Sequence, residues 1–206
     1  MKKLYFKYGT MGSSKSAIAL MTAFNYNQKG YNVFLMKPAL DTREGKPVVA
    51  SRIGLSRECL TFDKNENLYD LVNNNKNFDI VIVDEAQFCT AEQIDELKKL
   101  TLDNKVVICY GLLTNFKGEL FEGSKRLVEL AESLQEIKSI CRCGSKATLN
   151  ARIVNNRVVT SGLELQIGGD ESYESMCYEC FLKYQNQNLD KTSLADLQEE
   201  EDELGL

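Results

Sequence analysis

The run Gly9-Thr10-Met11-Gly12-Ser13-Ser14-Lys15-Ser16 constrains this chain more than any other segment, because of what flanks it. Leu4 to Tyr8 is a short aromatic and aliphatic run that reads as a strand. From Lys15, the residues Ala17, Ile18, Leu20, Met21, Ala23 and Phe24 continue to Gly30, which reads as a largely buried helix with a glycine stop. A phosphate-binding loop belongs between a strand and a helix, where the first helical amides are unpaired and the helix dipole attracts anions. The full pattern is G-x-x-x-x-G-K-[ST]; Gly9, Lys15 and Ser16 are in place, and Ser14 stands where the second glycine belongs. Ser14 is expected to tighten or distort the cradle and weaken the grip on ATP, with Gly12 supplying compensating freedom. In such a loop Lys15 reaches the β- and γ-phosphates and the Ser16 hydroxyl helps hold Mg²⁺. The plain alternative is a glycine- and serine-rich turn with an incidental lysine.

The remaining chain alternates in the same way. Val33 to Met36 is a buried strand ended by Pro38, Ile80 to Val83 a four-residue aliphatic strand, and Val106 to Tyr110 another. Thr90-Ala91-Glu92-Gln93 has the capping-box pattern, followed by Ile94, Leu97 and Leu100, with Lys98 and Lys99 late in the helix. Leu127, Val128, Leu130, Ala131 and Leu134 mark a further helix. Buried strands alternating with helices predict an α/β fold of the P-loop type, a mostly parallel sheet covered on both faces. Past Glu136 the pattern changes to short alternating runs, Ala151 to Val154 and Arg157 to Thr160, joined by Asn155-Asn156 as a hairpin. The expected organisation is an ATP-binding domain over 1–139, a small zinc-ribbon-like β subdomain over 140–186 whose segment Gly162 to Met176 reads as a substrate lid, and an acidic, disordered tail over 187–206.

Two further groups carry chemistry. Asp84-Glu85 follows directly on the Ile80 to Val83 strand, where P-loop proteins need an acid near the metal. Adjacent side chains at a strand end diverge, so Asp84 can face Mg²⁺ while Glu85 faces a substrate. Read alone, the two acids would be a solvated strand end. The sequence has no histidine, so any transition metal must be held by cysteine or carboxylate, and no histidine base exists. Four of the seven cysteines form two close pairs, Cys141-x-Cys143 and Cys177-x-x-Cys180. Two pairs of thiolates close a tetrahedron, and four thiolates leave no open position, so the reading is structural Zn²⁺. Free thiols or a redox pair are the alternatives.

Composition excludes more than it assigns. The formal charge is −5, yet the last eleven residues carry six acids and no Lys or Arg, leaving the first 195 residues at +1. A near-neutral body argues against a nucleic-acid-binding protein. No apolar run approaches about 18 residues and the N-terminus lacks a signal-peptide core, so the chain is expected to be soluble and cytoplasmic, without membrane partners.

The residues then match a family. The chain resembles the cytosolic-type (type II) thymidine kinases from Leu4 to about Tyr184. The resemblance rests on the Gly9 to Ser16 loop, Asp84-Glu85-Ala86-Gln87-Phe88, Tyr110-Gly111-Leu112 with Asn115-Phe116, Phe121-Glu122-Gly123-Ser124, Ile167-Gly168-Gly169 before Tyr173, and the four cysteines. It implies that Glu85 is the base facing the nucleoside 5′-hydroxyl, and that Ala86, Gln87 and Phe88 lie beside the bound nucleotide. Met11, Leu112, Phe116, Phe121 and Tyr173 would box thymine, with the backbone of Glu164, Leu165, Gln166, Ile167, Gly168 and Gly169 on the base edge. Asp41 would join Ser16 and Asp84 around Mg²⁺, and Arg43 would serve the transition state. The resemblance also implies ATP as phosphate donor, thymidine triphosphate as feedback inhibitor and a homotetramer. A P-loop ATPase, a zinc-ribbon nucleic-acid-binding module and a deoxynucleoside kinase of other base preference are the rival readings.

Overall fold

The computed structural model describes residues 2–40, 47–75, 77–154, 157–160 and 173–185. Six strands form the central sheet: β1 (Leu4–Tyr8), β2 (Val33–Pro38), β5 (Leu60–Phe62), β6 (Ile80–Val83), β7 (Val106–Gly111) and β8 (Ser133–Glu136). Their order is β5-β2-β6-β7-β1-β8, and every pairing is parallel. A short antiparallel pair, β3 (Val48–Ala50) and β4 (Ser56–Glu58), stands apart from it.

Alternation along the strands sorts side chains into two cores. Leu4, Phe6, Phe34, Met36, Val81, Val83, Val107 and Cys109 face one side, packed with Ile94, Leu97 and Leu100 near α3 (Ala91–Lys99) and Leu127 of α4 (Glu122–Leu130). Val33, Leu35, Ile80, Ile82, Ile108 and Tyr110 face the other, packed with Ala19, Leu20 and Ala23 of α1 (Lys15–Gln28). Each large aliphatic side chain buried this way contributes about 1.5–3 kcal/mol, so the cores fix the strand ends from which the loops emerge. The Thr90–Gln93 capping box forms as expected and starts α3. A shorter helix, α2 (Leu68–Asn74), is capped by the Asn67 side chain.

Two expectations need correction. The first helix is only half buried: Ala17, Ala19, Leu20 and Ala23 are covered, but Met21 and Phe24 are 54% and 61% exposed. Continuous apolarity hid the helical face, because it left no polar contrast to read. Leu134 is not in a helix; α4 stops at Leu130, Ala131 turns extended, and Leu134 lies half exposed on β8. That edge strand is held by long-range partners, with the Glu132 N–H donating to the Leu4 carbonyl and the Leu4 N–H to the Glu132 carboxylate.

The C-terminal segment builds β9 (Ser139–Ile140), β10 (Lys146–Ala147), β11 (Leu149–Val154), β12 (Arg157–Val159) and β13 (Tyr173–Met176), with residues 178–185 helical. The expected hairpin is there, antiparallel with Val154 opposite Arg157. Its small hydrophobic cluster comprises Cys141, Ala147, Ala151, Val158, Met176 and Cys177. Asp41, Arg43, Asn155, Asn156, the segment from Glu164 to Gly169 and the acidic tail lie outside the described residues. Among the described residues, no helix is long and apolar enough to cross a membrane.

Candidate active site

The Gly9–Ser16 loop leaves β1 at its carboxyl end and enters α1 at Lys15. Gly9 admits no side chain: a Cβ there would sit 2.4 Å from the Ile137 carbonyl oxygen. Gly12 and Ser14 both take left-handed backbone angles, φ 71° and 65°. Ser14 thus keeps the path open to a glycine instead of distorting it, at a cost of about 1–2 kcal/mol for an L-residue. The Lys15 ammonium, nearly buried, donates to the Thr10 carbonyl at 2.8 Å and to Ser13 Oγ at 3.4 Å, folding across the loop.

Asp84 follows directly on β6, which pairs with β7 and is separated from β1 by that one strand. It is 4% exposed, and the Ser16 hydroxyl donates to its carboxylate. Burial, then the negative charge of Glu85, pushes its pKa up to about 7, while Ser16 and Lys15 act in the opposite sense. Among the described residues, Asp84 Oδ1 has no hydrogen-bond partner. A buried, orphaned carboxylate oxygen joined to a serine hydroxyl is a donor set suited to a hard cation such as Mg²⁺. Glu85 turns away, with φ 53°, and its Oε2 accepts from Gln87 Nε2 at 2.6 Å. The other end of that amide accepts from the Leu112 N–H at 3.0 Å. A Cβ at Gly111 would lie 2.6 Å from Gln87 Oε1 and 3.1 Å from the Gln87 backbone nitrogen, so a side chain there would push the amide out of this bridge. Gln87 therefore positions both the candidate base and a wall of the candidate base box, a role its place in the sequence did not reveal. Ala86 is fully buried in the sheet core, and Phe88 packs edge-on against Phe121 at 5.8 Å.

The expected box residues meet in part. Leu112 and Phe116 are buried, and the Arg152 guanidinium lies 5.5 Å from the Phe116 ring centre. Arg152 is the cross-strand partner of Tyr173, which brings Tyr173 to the same face of the ribbon. Met11 joins through Asn150, whose side chain accepts from the Met11 N–H at 2.8 Å and donates to the Thr114 carbonyl at 3.3 Å. Phe121, at the start of α4, contacts Phe88. Ser124, fully buried, donates its hydroxyl to the Leu112 carbonyl. Asn150 did not stand out in the sequence, because a polar residue in a short strand carries no periodic signal.

The four paired cysteines converge, their sulfurs all within 4.8 Å of one another, with Cys143 and Cys177 at 3.6 Å. Tetrahedral Zn–S bonds of about 2.3 Å require sulfurs about 3.8 Å apart, so the arrangement fits zinc. A tight turn makes the shorter Cys141-x-Cys143 spacing work: the Cys141 N–H donates to the Ser145 carbonyl, and Gly144 has φ 88°. Ser145 donates to the Cys143 sulfur and lowers its pKa to about 6, whereas the sulfurs of Cys143 and Cys177 push Cys180 up to about 12. Four thiolates together need a cation, and Zn²⁺ fits this donor set.

A parallel α/β sheet with a phosphate loop after its first strand, an acid at the end of a neighbouring strand and a cysteine ribbon beside them defines a nucleoside-triphosphate-binding P-loop protein. A family model described as thymidine kinase matches residues 2–181. The chain is 43% identical over 182 residues to a thymidine kinase of Rhodopirellula baltica, covering 86% of each protein. It is 43% identical over 183 residues to a thymidine kinase of Legionella pneumophila strain Lens, covering 86% of this chain and 88% of the relative. The Zymomonas mobilis thymidine kinase is 41% identical over 191 residues, covering 90% and 99%. The chain belongs to the thymidine kinase family.

Proposed function

We propose that the chain transfers the γ-phosphate of ATP to the 5′-hydroxyl of thymidine in nucleotide salvage. Family membership makes it a phosphotransferase acting on thymidine. The observation that supports the finer reading is the Glu85–Gln87–Leu112 bridge, which ties a buried carboxylate to the Leu112 backbone of the candidate base box. Lys15 and the loop amides hold the triphosphate, and Arg43 adds positive charge where it develops on the transferring group. Ser16, Asp84 and Asp41 would hold Mg²⁺, which would supply positive charge against the triphosphate. Glu85 accepts the hydroxyl proton as the new O–P bond forms. Met11, Leu112, Phe116, Phe121 and Tyr173 enclose thymine, and the backbone from Glu164 to Gly169 binds its polar edge. This division of labour corresponds to an ATP-binding body over 1–139 and a zinc ribbon with lid over 140–186.

Thymidine triphosphate, with the same base and a phosphate tail, bridges both subsites and inhibits. The exposed Met21 and Phe24 on α1 offer an apolar face consistent with a homotetramer. Among the described residues no two cysteines form a disulfide, in keeping with a reducing compartment. The test is a phosphorylation assay across thymidine, deoxyuridine and deoxycytidine beside ATP alone. Thymidine turnover well above the others is expected; ATP hydrolysis at a comparable rate without any nucleoside would assign an ATPase instead.

A further inference from the structure

We propose that the cysteine ribbon sets the conformation of the phosphate loop, with Asn150 as the positioning residue that holds Met11 and Thr114 in one frame. Asn150 and Ser175 are direct cross-strand partners on β11 and β13. They grip the two polar backbone groups of one residue: Asn150 Oδ1 accepts from the Met11 N–H at 2.8 Å, and the Ser175 hydroxyl donates to the Met11 carbonyl. The neighbouring loop residue is held as well, by a hydrogen bond between the Thr10 and Ser139 hydroxyls. Ser139 stands two positions before Cys141, and Ser175 two before Cys177. Each cysteine pair thus follows directly on a strand that touches the loop. The ribbon's own apolar cluster is small and includes two of the candidate zinc ligands, so its rigidity depends on the metal. Asn150 is nearly buried, and its remaining amide hydrogen bond runs to the Thr114 carbonyl, next to the base box. Without this clamp the loop samples other conformations, and the apparent affinity falls with the fraction that remains competent.

The inference rests on the reading that Gly9–Ser16 takes a triphosphate. Its test uses the zinc-loaded full chain and Mg²⁺–tripolyphosphate, which engages the loop without needing the base box. Calorimetry on wild type, Asn150→Ala, Ser175→Ala and a ribbon control, Val158→Ala, gives the dissociation constant. Hydrogen exchange over residues 9–16 reads the clamp itself. Asn150→Ala is expected to raise the dissociation constant about tenfold and to speed exchange of the loop, with zinc content unchanged. Ser175→Ala should act in the same direction but less, and Val158→Ala should leave both readouts near wild type. Stripping zinc from the wild type should weaken tripolyphosphate binding, and add little in Asn150→Ala. Unchanged affinity and exchange in Asn150→Ala, or an equal loss in Val158→Ala, would overturn the inference. Failure of the wild type to bind Mg²⁺–tripolyphosphate would overturn the inference together with the loop assignment. Binding that Asn150→Ala weakens, in a wild type that phosphorylates no thymidine, would support the clamp and overturn only the proposed function.

Discussion

The sheet edge that carries Lys15, Asp84 and Glu85 and the ribbon that carries the four cysteines are held together by different forces. Behind the sheet edge stand two hydrophobic clusters rich in Leu, Ile, Val and Phe, so its strand ends are positioned before any ligand arrives. Behind the ribbon stands a cluster of mainly small residues, two of them candidate metal ligands. A unit with so little apolar surface needs a staple, and zinc is the one its residues suit. The sheet can therefore keep strained, charged groups in place at its edge, while the ribbon can only be as rigid as its metal site.

The largest expected effect tests the sheet side alone. Glu85→Gln keeps the hydrogen bonding capacity near Gln87 but removes the proton acceptor, so thymidine turnover should fall by roughly 10²-fold or more while thymidine and ATP still bind. Steady-state turnover beside calorimetric binding measures this; full turnover by the variant would take Glu85 out of the reaction.

The next effect tests the ribbon alone. The purified protein is expected to carry about one zinc per chain, and Cys177→Ser should lose most of it. The thymidine KM should then rise by about tenfold, while the main sheet still unfolds cooperatively. Metal analysis, KM and a thermal melt separate these outcomes, and a folded, active wild type free of zinc would remove the contrast between the two regions.

A smaller effect depends on pH. Asp84 has a pKa of about 7 in the fold against an ordinary 3.8, because burial and Glu85 disfavour its charge. Between those values the folded, Mg²⁺-free protein holds a proton that the unfolded chain has released, so this group's contribution to stability is lost as pH rises from about 4 through about 7. The melting temperature difference between wild type and Asp84→Asn should accordingly widen in favour of the variant toward pH 8. Mg²⁺ should raise the wild-type melting temperature most at pH 8, and much less at pH 5 or in Asp84→Asn. A pH-independent difference between the two would show that the carboxyl does not titrate in that range.

The smallest effect sits in the loop that the two regions share. Ser14→Gly removes a left-handed L-residue and should stabilise the fold by about 1 kcal/mol, visible as a rise of a few degrees at most in a thermal melt. A lower melting temperature would mean that the serine side chain offsets its backbone strain.

Much of this was legible in the chain because it is local. The strands Leu4–Tyr8 and Ile80–Val83, the capping box at Thr90–Gln93 and the antiparallel pairing of β11 with β12 all follow from periodicity and turn chemistry over a few residues. The phosphate loop and the two cysteine pairs were legible for the same reason, since their spacing is itself the signal. The short strands β3, β4 and β5 and the edge strand β8 were not, because three or four residues without clear alternation take their form from the partner strand.

Sequence alone determined the parallel α/β framework, the place of the loop, the acid pair after Val83 and the two cysteine pairs, each of them written in neighbouring residues. Only the tertiary structure decided which face of α1 stays exposed, that Ser14 adopts a glycine-like backbone, that Gln87 ties Glu85 to Leu112, and that Asn150 and Ser175 grip Met11 from the ribbon. These features join residues far apart in the chain. Such contacts are selected by how packed layers bring polar groups within hydrogen-bond reach, and no local pattern of apolar and polar residues encodes that distance.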